Sequence, residues 1–334
     1  MKIKKDEFAL NYGNSHGTDA TTLTADEVRR LKRLARKKSM RMDAGGWTFV
    51  ILNTIFLILF TIITIYPVIN TVAVSFNDGL DALRGGIYLW PRAFSTESFK
   101  TVLNIHGFTT GAKITVARTL LGTLTSLIAN ALLAFVISRK RFLFRSSLSL
   151  FWIITMYVNG GMIPVMVLYK YLGLTGTFWV YVIPGMISAF NVMVLRTYME
   201  DLPDELEESA QLDGAGYITI FIKIISPLCK PVYATIALFV AVWQWNSWFD
   251  AMLYNRLKAD YTTLQYELMK LLSSVSHQSG NAGSYATQAA QGSRVTSVSV
   301  RAAASVVTMV PIICVYPFLQ RYFVTGLTIG GVKG

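Results

Sequence analysis

Six stretches of this chain are apolar for long enough to cross a bilayer: residues 47–75, 114–138, 147–169, 178–198, 230–254 and 298–320. A hydrocarbon core takes about 20 residues of helix, since every backbone N–H and C=O in it must be satisfied within the protein. Repetition of such stretches points to an all-α integral membrane protein with six transmembrane helices. Composition agrees, with 53% hydrophobic and 15% charged residues and a mean hydropathy of +0.44. Soluble domains carry about 25% charge. A soluble enzyme, a disordered scaffold and a disulfide-stapled mini-protein are excluded. The first stretch is too long for a leader's apolar core and lacks a small-residue cleavage site behind it, so it is expected to remain as a membrane helix.

The net charge is +12. In a membrane chain such an excess marks the loops held inside rather than a nucleic-acid partner. With the N-terminus inside, the inner segments hold 20 Lys/Arg and the outer ones nine. Both termini are therefore expected to be cytoplasmic. Eleven of the 20 lie in residues 1–46, and without that arm the two sides are equal. Within the arm, Thr24-Ala25-Asp26-Glu27 has the form of a capping box, and Val28, Leu31, Leu34 and Ala35 recur at helical spacing. The expected element is a basic amphipathic helix lying on anionic membrane lipid; regulation or partner docking is the other reading of such a helix.

Catalytic chemistry is hard to place. Cys229 and Cys314 sit in apolar segments, and His16, His106 and His277 are far apart in polar ones. Neither set has metal-ligand or disulfide spacing. No glycine-rich phosphate loop is present. No catalytic residue, metal or cofactor is expected on this chain. Two outer segments exceed a turn. Residues 76–112 contain Leu89-Trp90-Pro91 and a helix start at Ser95–Lys100, and residues 255–297 end in a Ser/Gly/Gln/Ala-rich run, 276–293, too polar to fold alone.

The most informative segment is Glu200–Gly216. Pro203 suits a first helical turn, Asp204, Glu205, Glu207 and Glu208 suit its positive end, and Gly214 suits its stop. Ser209 and Ala210 are small enough for close approach of another surface. A second short helix, about 217–225, runs to Pro227. The result is an acidic elbow of two short helices between spans. Composition alone would also allow an ordinary acidic loop.

The spacing goes further. Glu208-Ser209-Ala210, three residues, Gly214, nine residues, Ile224, one residue, Ser226-Pro227 resembles the EAA loop of binding-protein-dependent ABC importer permeases. Ser209 replaces an alanine and keeps its small volume; Ser226 replaces a leucine. Leu212-Asp213-Gly214-Ala215, Leu89-Trp90-Pro91, Asn159-Gly160-Gly161-Met162-Ile163-Pro164, Thr263-Leu264-Gln265 and the tail Tyr322–Leu327 are also similar to the maltose-type (MalG-like) sugar-transporting branch, closest to its LplC-like oligosaccharide permeases. The resemblance covers about residues 47–334. It implies the type I ABC importer permease fold, with the coupling loop at about 199–227. It also implies a bacterial cytoplasmic-membrane location and import of oligosaccharides or polysaccharide fragments. The implied partners are a second homologous permease, two cytoplasmic ATPase subunits that hold the ATP and Mg, and an extracytoplasmic solute-binding (lipo)protein.

On that reading Glu207, Glu208, Ser209, Ala210, Asp213 and Gly214 couple to the ATPase, with Glu208 the first choice for the carboxylate that meets a basic socket residue. Glu207 is otherwise a solvated charge. The substrate path is expected near Asn159 and the run Trp243, Gln244, Asn246, Trp248 and Asp250, because aromatic rings and amides suit sugars. An aromatic belt at the outer boundary is the competing reading. Asn246 and Asp250, four apart, are expected on one helix face. An acid at membrane depth costs about 2.5–3.5 kcal/mol, so Asp250 is expected to face a cavity, a partner or the interface. Loop 255–297 is either a finger toward the binding protein or a linker. The rival from another class is an ion-driven secondary transporter of a small polar solute, for which Asp250 is the main support.

Overall fold

The computed structural model describes residues 44–276 and 295–326. The expected helix after Thr24, the polar run 277–294 and the tail beyond Gly326 lie outside them. The chain divides into two compact units, residues 1–67 and 68–334. Among the described residues all regular structure is helical, with one isolated bridge between Asn77 and Phe94.

The helices are α1 (Ala44–Ser75), α2 (Gly79–Leu83), α3 (Glu97–Asn104), α4 (His106–Ser138), α5 (Arg145–Tyr157), α6 (Met162–Tyr171), α7 (Ala189–Glu200), α8 (Glu205–Leu212), α9 (Tyr217–Leu228), α10 (Lys230–Asn246), α11 (Phe249–Tyr254), α12 (Leu264–Ser276) and α13 (Ser297–Gly326). Three are long and apolar enough to span a membrane: α1, α4 and the first 19 residues of α13. In α1 the side chains from Ile51 to Tyr66 are exposed on every face, which suits lipid and not water.

The other expected spans are interrupted. Residues 147–169 form α5 and α6, bent by 115° at a break where Gly161 takes φ +86°. Residues 178–198 are not one helix: a 3₁₀ turn, Phe178–Tyr181, is followed by an irregular stretch holding Pro184 and Gly185, then α7. Proline has no N–H to continue a ladder and glycine little helical preference. Residues 230–254 are α10 and α11, parted at Ser247–Trp248, so Asn246 and Asp250 do not share a helix. Behind α10, α9 joins it at an 80° bend and contains a π-turn at Phe221–Ile225. By contrast Pro311 and Pro317 lie inside a continuous α13. The segment read as an outer loop, 255–297, contains α12.

The centre of the second unit is α4, 33 residues or about 50 Å long. One stripe of it is buried and small or polar: Gly111, Thr115, Arg118, Gly122, Ser126, Asn130. Such residues let helices approach closely. A Cβ on Gly111 would stand 3.0 Å from the Leu264 backbone, and one on Gly122 2.5 Å from Gln244 Nε2. Toward Ser138 the packing becomes apolar, with Ala131, Ala134, Phe135 and Ile137 against Leu195, Met199, Ala210, Ile220 and Ile225. This cluster seats the elbow.

Candidate functional site

The elbow starts where α7 ends. Asp204 is the N-cap of α8, so Pro203 precedes the helix instead of occupying its first turn. Glu205, Glu207 and Glu208 fill that turn, where helix N–H groups favour anions. The stop is a Schellman motif: Gly214 N–H donates to Gln211 O at 3.0 Å and Ala215 N–H to Ala210 O at 2.9 Å. Gly214 has φ +81°, a conformation a side chain resists. Ala210 is buried in the apolar cluster, while Glu208, Ser209 and Asp213 are exposed and Leu212 is 89% exposed. An amphipathic helix is thus fixed by one face and presents a carboxylate, a small residue and a leucine on the other.

Glu207 does not share that outer face. Its Oε2 pairs with Arg139 Nη1, and its Oε1 accepts from Gln211 Nε2 at 3.0 Å. Beside it Lys140 pairs with Asp204. Sequence reasoning placed these two cations only as inner-loop charge.

The substrate-path candidates divide. Trp243, Asn246 and Trp248, with Phe239 and Phe249, line a hollow of about 730 Å³. Asn246 donates to Val242 O at 2.8 Å and accepts from Gln265 Nε2 at 3.1 Å. Asn159 lies at the α5–α6 break, accepting from Gly161 N–H at 2.9 Å, and does not line the hollow. Gln244 and Asp250 turn to the interior. Asp250 is held by Arg118, with Nη2–Oδ2 at 2.5 Å and Nη1–Oδ1 at 3.2 Å. Arg118 Nε donates to Gln244 Oε1 at 2.9 Å, Nη1 reaches Ser247 O at 3.5 Å, and the Tyr181 ring lies 4.4 Å from the guanidinium. Gln244 Nε2 in turn donates to Tyr181 O at 3.1 Å. A bidentate fork against a carboxylate is arginine's preferred geometry.

Arg118 is a residue that sequence reasoning does not single out. The signal was available: a cation in the middle of an apolar run needs a partner, and Asp250 is an acid in a similar position. Asn130 was missed too. Its Oδ1 accepts from Ser188 N–H at 2.9 Å, and its Nδ2 donates to Met186 O at 3.1 Å. It thereby satisfies the backbone of the irregular stretch. Among the described residues no group of three His, Cys, Asp or Glu side chains is placed to hold a metal ion.

This arrangement can transmit movement and pass a solute; it shows no reacting centre. The family described as "binding-protein-dependent transport system inner membrane component" matches residues 122–249, which include the elbow and most of the aromatic run. The chain is 33% identical over 279 residues to the polygalacturonan/rhamnogalacturonan transport system permease protein YtcP of Bacillus subtilis strain 168, covering 84% of this chain and 96% of that protein. It is 33% identical over 303 residues to protein LplC of the same organism, covering 90% and 100%. A solved structure of a bacterial ABC transporter involved in import of the acidic polysaccharide alginate superposes with a TM-score of 0.77 at 30% identity, covering 85% of this chain and 99% of that one. The chain therefore belongs to the binding-protein-dependent transport system inner membrane components: it is a multi-pass permease subunit of an ABC importer, a transport component and not an enzyme.

Proposed function

We propose that this chain is one of two homologous permeases, forming a heterodimer, in an importer of oligosaccharides or polysaccharide fragments in the bacterial cytoplasmic membrane. Two cytoplasmic ATPase subunits bind ATP and Mg, and an extracytoplasmic solute-binding protein delivers the sugar. This chain binds no cofactor of its own. It crosses the membrane six times, counting the interrupted segment 178–198, with both termini in the cytoplasm. The names of the relatives, which include arabinooligosaccharide permeases, support the sugar class.

The observation that carries the coupling role is α8 itself. A short helix stopped by a Schellman turn and seated through Ala210 offers Glu208, Ser209 and Leu212 to a partner's groove. Gly214 fixes the stop and Asp213 caps it. Trp243, Asn246 and Trp248 then serve the sugar path, with Gln244 and Asp250 behind them; Asn159 is a separate, outlying candidate. The ion-driven alternative loses its main support, because Asp250 is committed to Arg118.

The test is uptake by proteoliposomes holding the full complex, using a tritiated mixture of oligogalacturonides and alginate oligosaccharides on the binding protein. ATP-dependent uptake is expected, abolished by Glu208→Lys and by Gly214→Val. Uptake that survives ATP depletion and stops with an ionophore would replace this reading with the ion-driven one.

A further inference from the structure

Glu207 and Glu208 are adjacent on one short helix, yet Glu207 turns toward Arg139 while Glu208 is exposed. The Glu207 carboxylate is 15% exposed and the Arg139 side chain opposite it 13%. Arg139 is the C-cap of α4, and its fork is fixed on every side. Nε and Nη2 donate to Ser138 Oγ at 3.2 and 3.0 Å, and Nη2 donates to Met199 O at 3.4 Å. The Phe135 ring lies 4.9 Å from the guanidinium. Met199 belongs to α7 and Phe135 to α4, so this one side chain ties the elbow to two helices at once.

The same α4 carries Arg118, 21 residues earlier, about 32 Å along the axis at ~1.5 Å per residue. There it grips Asp250 and Ser247 at the edge of the aromatic run. One continuous helix thus has an ion pair to the elbow at one end and an ion pair to the candidate sugar path further along. A charge-assisted pair with several fixed hydrogen bonds resists shear in a way that apolar contacts do not.

We propose that Arg139 and Glu207 form the joint through which the elbow moves α4, and with it the path segment, while Glu208 remains for the ATPase. Both are positioning residues, and the proposal rests on the ATP-coupled reading above.

The readout is sugar moved per ATP hydrolysed, measured on assembled complexes in proteoliposomes with the same tritiated mixture. A staple that merely aids folding would change how much complex assembles without changing that ratio. Glu207→Gln and Arg139→Glu are each expected to lower the ratio at least tenfold. Combining Arg139→Glu with Glu207→Arg is expected to restore it to a third of wild type or more. Ratios of the single variants within twofold of wild type would overturn the proposal. So would an exchanged pair that assembles but keeps a low ratio, or failure of every variant to assemble. Where only the single variants fail to assemble, the exchanged pair decides. Absence of ATP-dependent uptake by the wild-type complex would refute the proposed function before any variant was compared.

Discussion

Asp250 receives two arms of the Arg118 guanidinium, at 2.5 and 3.2 Å, although the two residues stand 132 positions apart and Arg118 has no exposed side-chain surface. Removing one member leaves the other charged and unpaired in a medium that solvates it poorly. Arg118→Met or Asp250→Leu alone is expected to cost about 3–5 kcal/mol, and the double replacement much less. Thermal unfolding of the detergent-solubilised complex checks the ordering. A double variant as unstable as the two singles summed would contradict it.

The two pairs at the elbow should differ in weight. Lys140 and Asp204 are 73% and 56% exposed, so their coupling in a double-mutant cycle is expected at about 0–1 kcal/mol and should fade with salt. The Arg139–Glu207 pair is shielded and carries additional hydrogen bonds, and truncating either member is expected to cost about 1.5–3 kcal/mol. Equal couplings for the two pairs would show that burial is not what separates them.

Glycine replacements discriminate fit from conformation. Gly122→Ala would press a methyl onto the Gln244 amide that Arg118 uses, at an expected cost of about 1–3 kcal/mol. Gly214→Ala has open space around it but a φ of +81°, and is expected to cost about 1–2 kcal/mol. Gly216→Ala has both open space and an ordinary φ of −74°, and should be tolerated. Melting temperatures of the three variants provide the comparison.

Outside the spans, Asp81 accepts from Asn77 Nδ2 at 2.9 Å and from Arg92 Nε at 3.1 Å. The Asn77 amide first, and then Arg92, hold its carboxyl below the usual value of 3.8. A carboxyl depressed by folding contributes stability that is present above its unfolded value and is lost as pH falls through its folded one. Asp81→Asn is therefore expected to lower the melting temperature at pH 7 by more than it does at pH 3. A difference that is constant across that range would remove the charge from the account.

Hydropathy located α1, α4 and α13, and residue spacing located the elbow with its glycine stop. Both signals are local, set by side chains within a few turns. The interruptions were invisible for the converse reason. The stretch 182–188 can stay out of helix because Asn130, 56 and 58 positions away, takes up the Met186 carbonyl and the Ser188 N–H, while Gln244, 63 positions from Tyr181, takes the carbonyl that precedes it. Proline alone would have misled, since Pro311 and Pro317 leave α13 intact. Motif position put Glu208 ahead of Glu207, but neither of the readings given to Glu207, coupling carboxylate or solvated charge, foresaw that it turns inward, because that depends on Arg139, in another helix.

Arg118 touches the carbonyl at Ser247 directly and, through Gln244, the carbonyl at Tyr181. One side chain thus bears, directly or through one neighbour, on two gaps in two different interrupted segments. Straightening the gap at Ser247 would take a carbonyl from Arg118, and straightening the one after Tyr181 would take a carbonyl from Gln244, which Arg118 holds. Arg118 on α4 is therefore the one anchor at which a displacement of either kinked segment would first be felt.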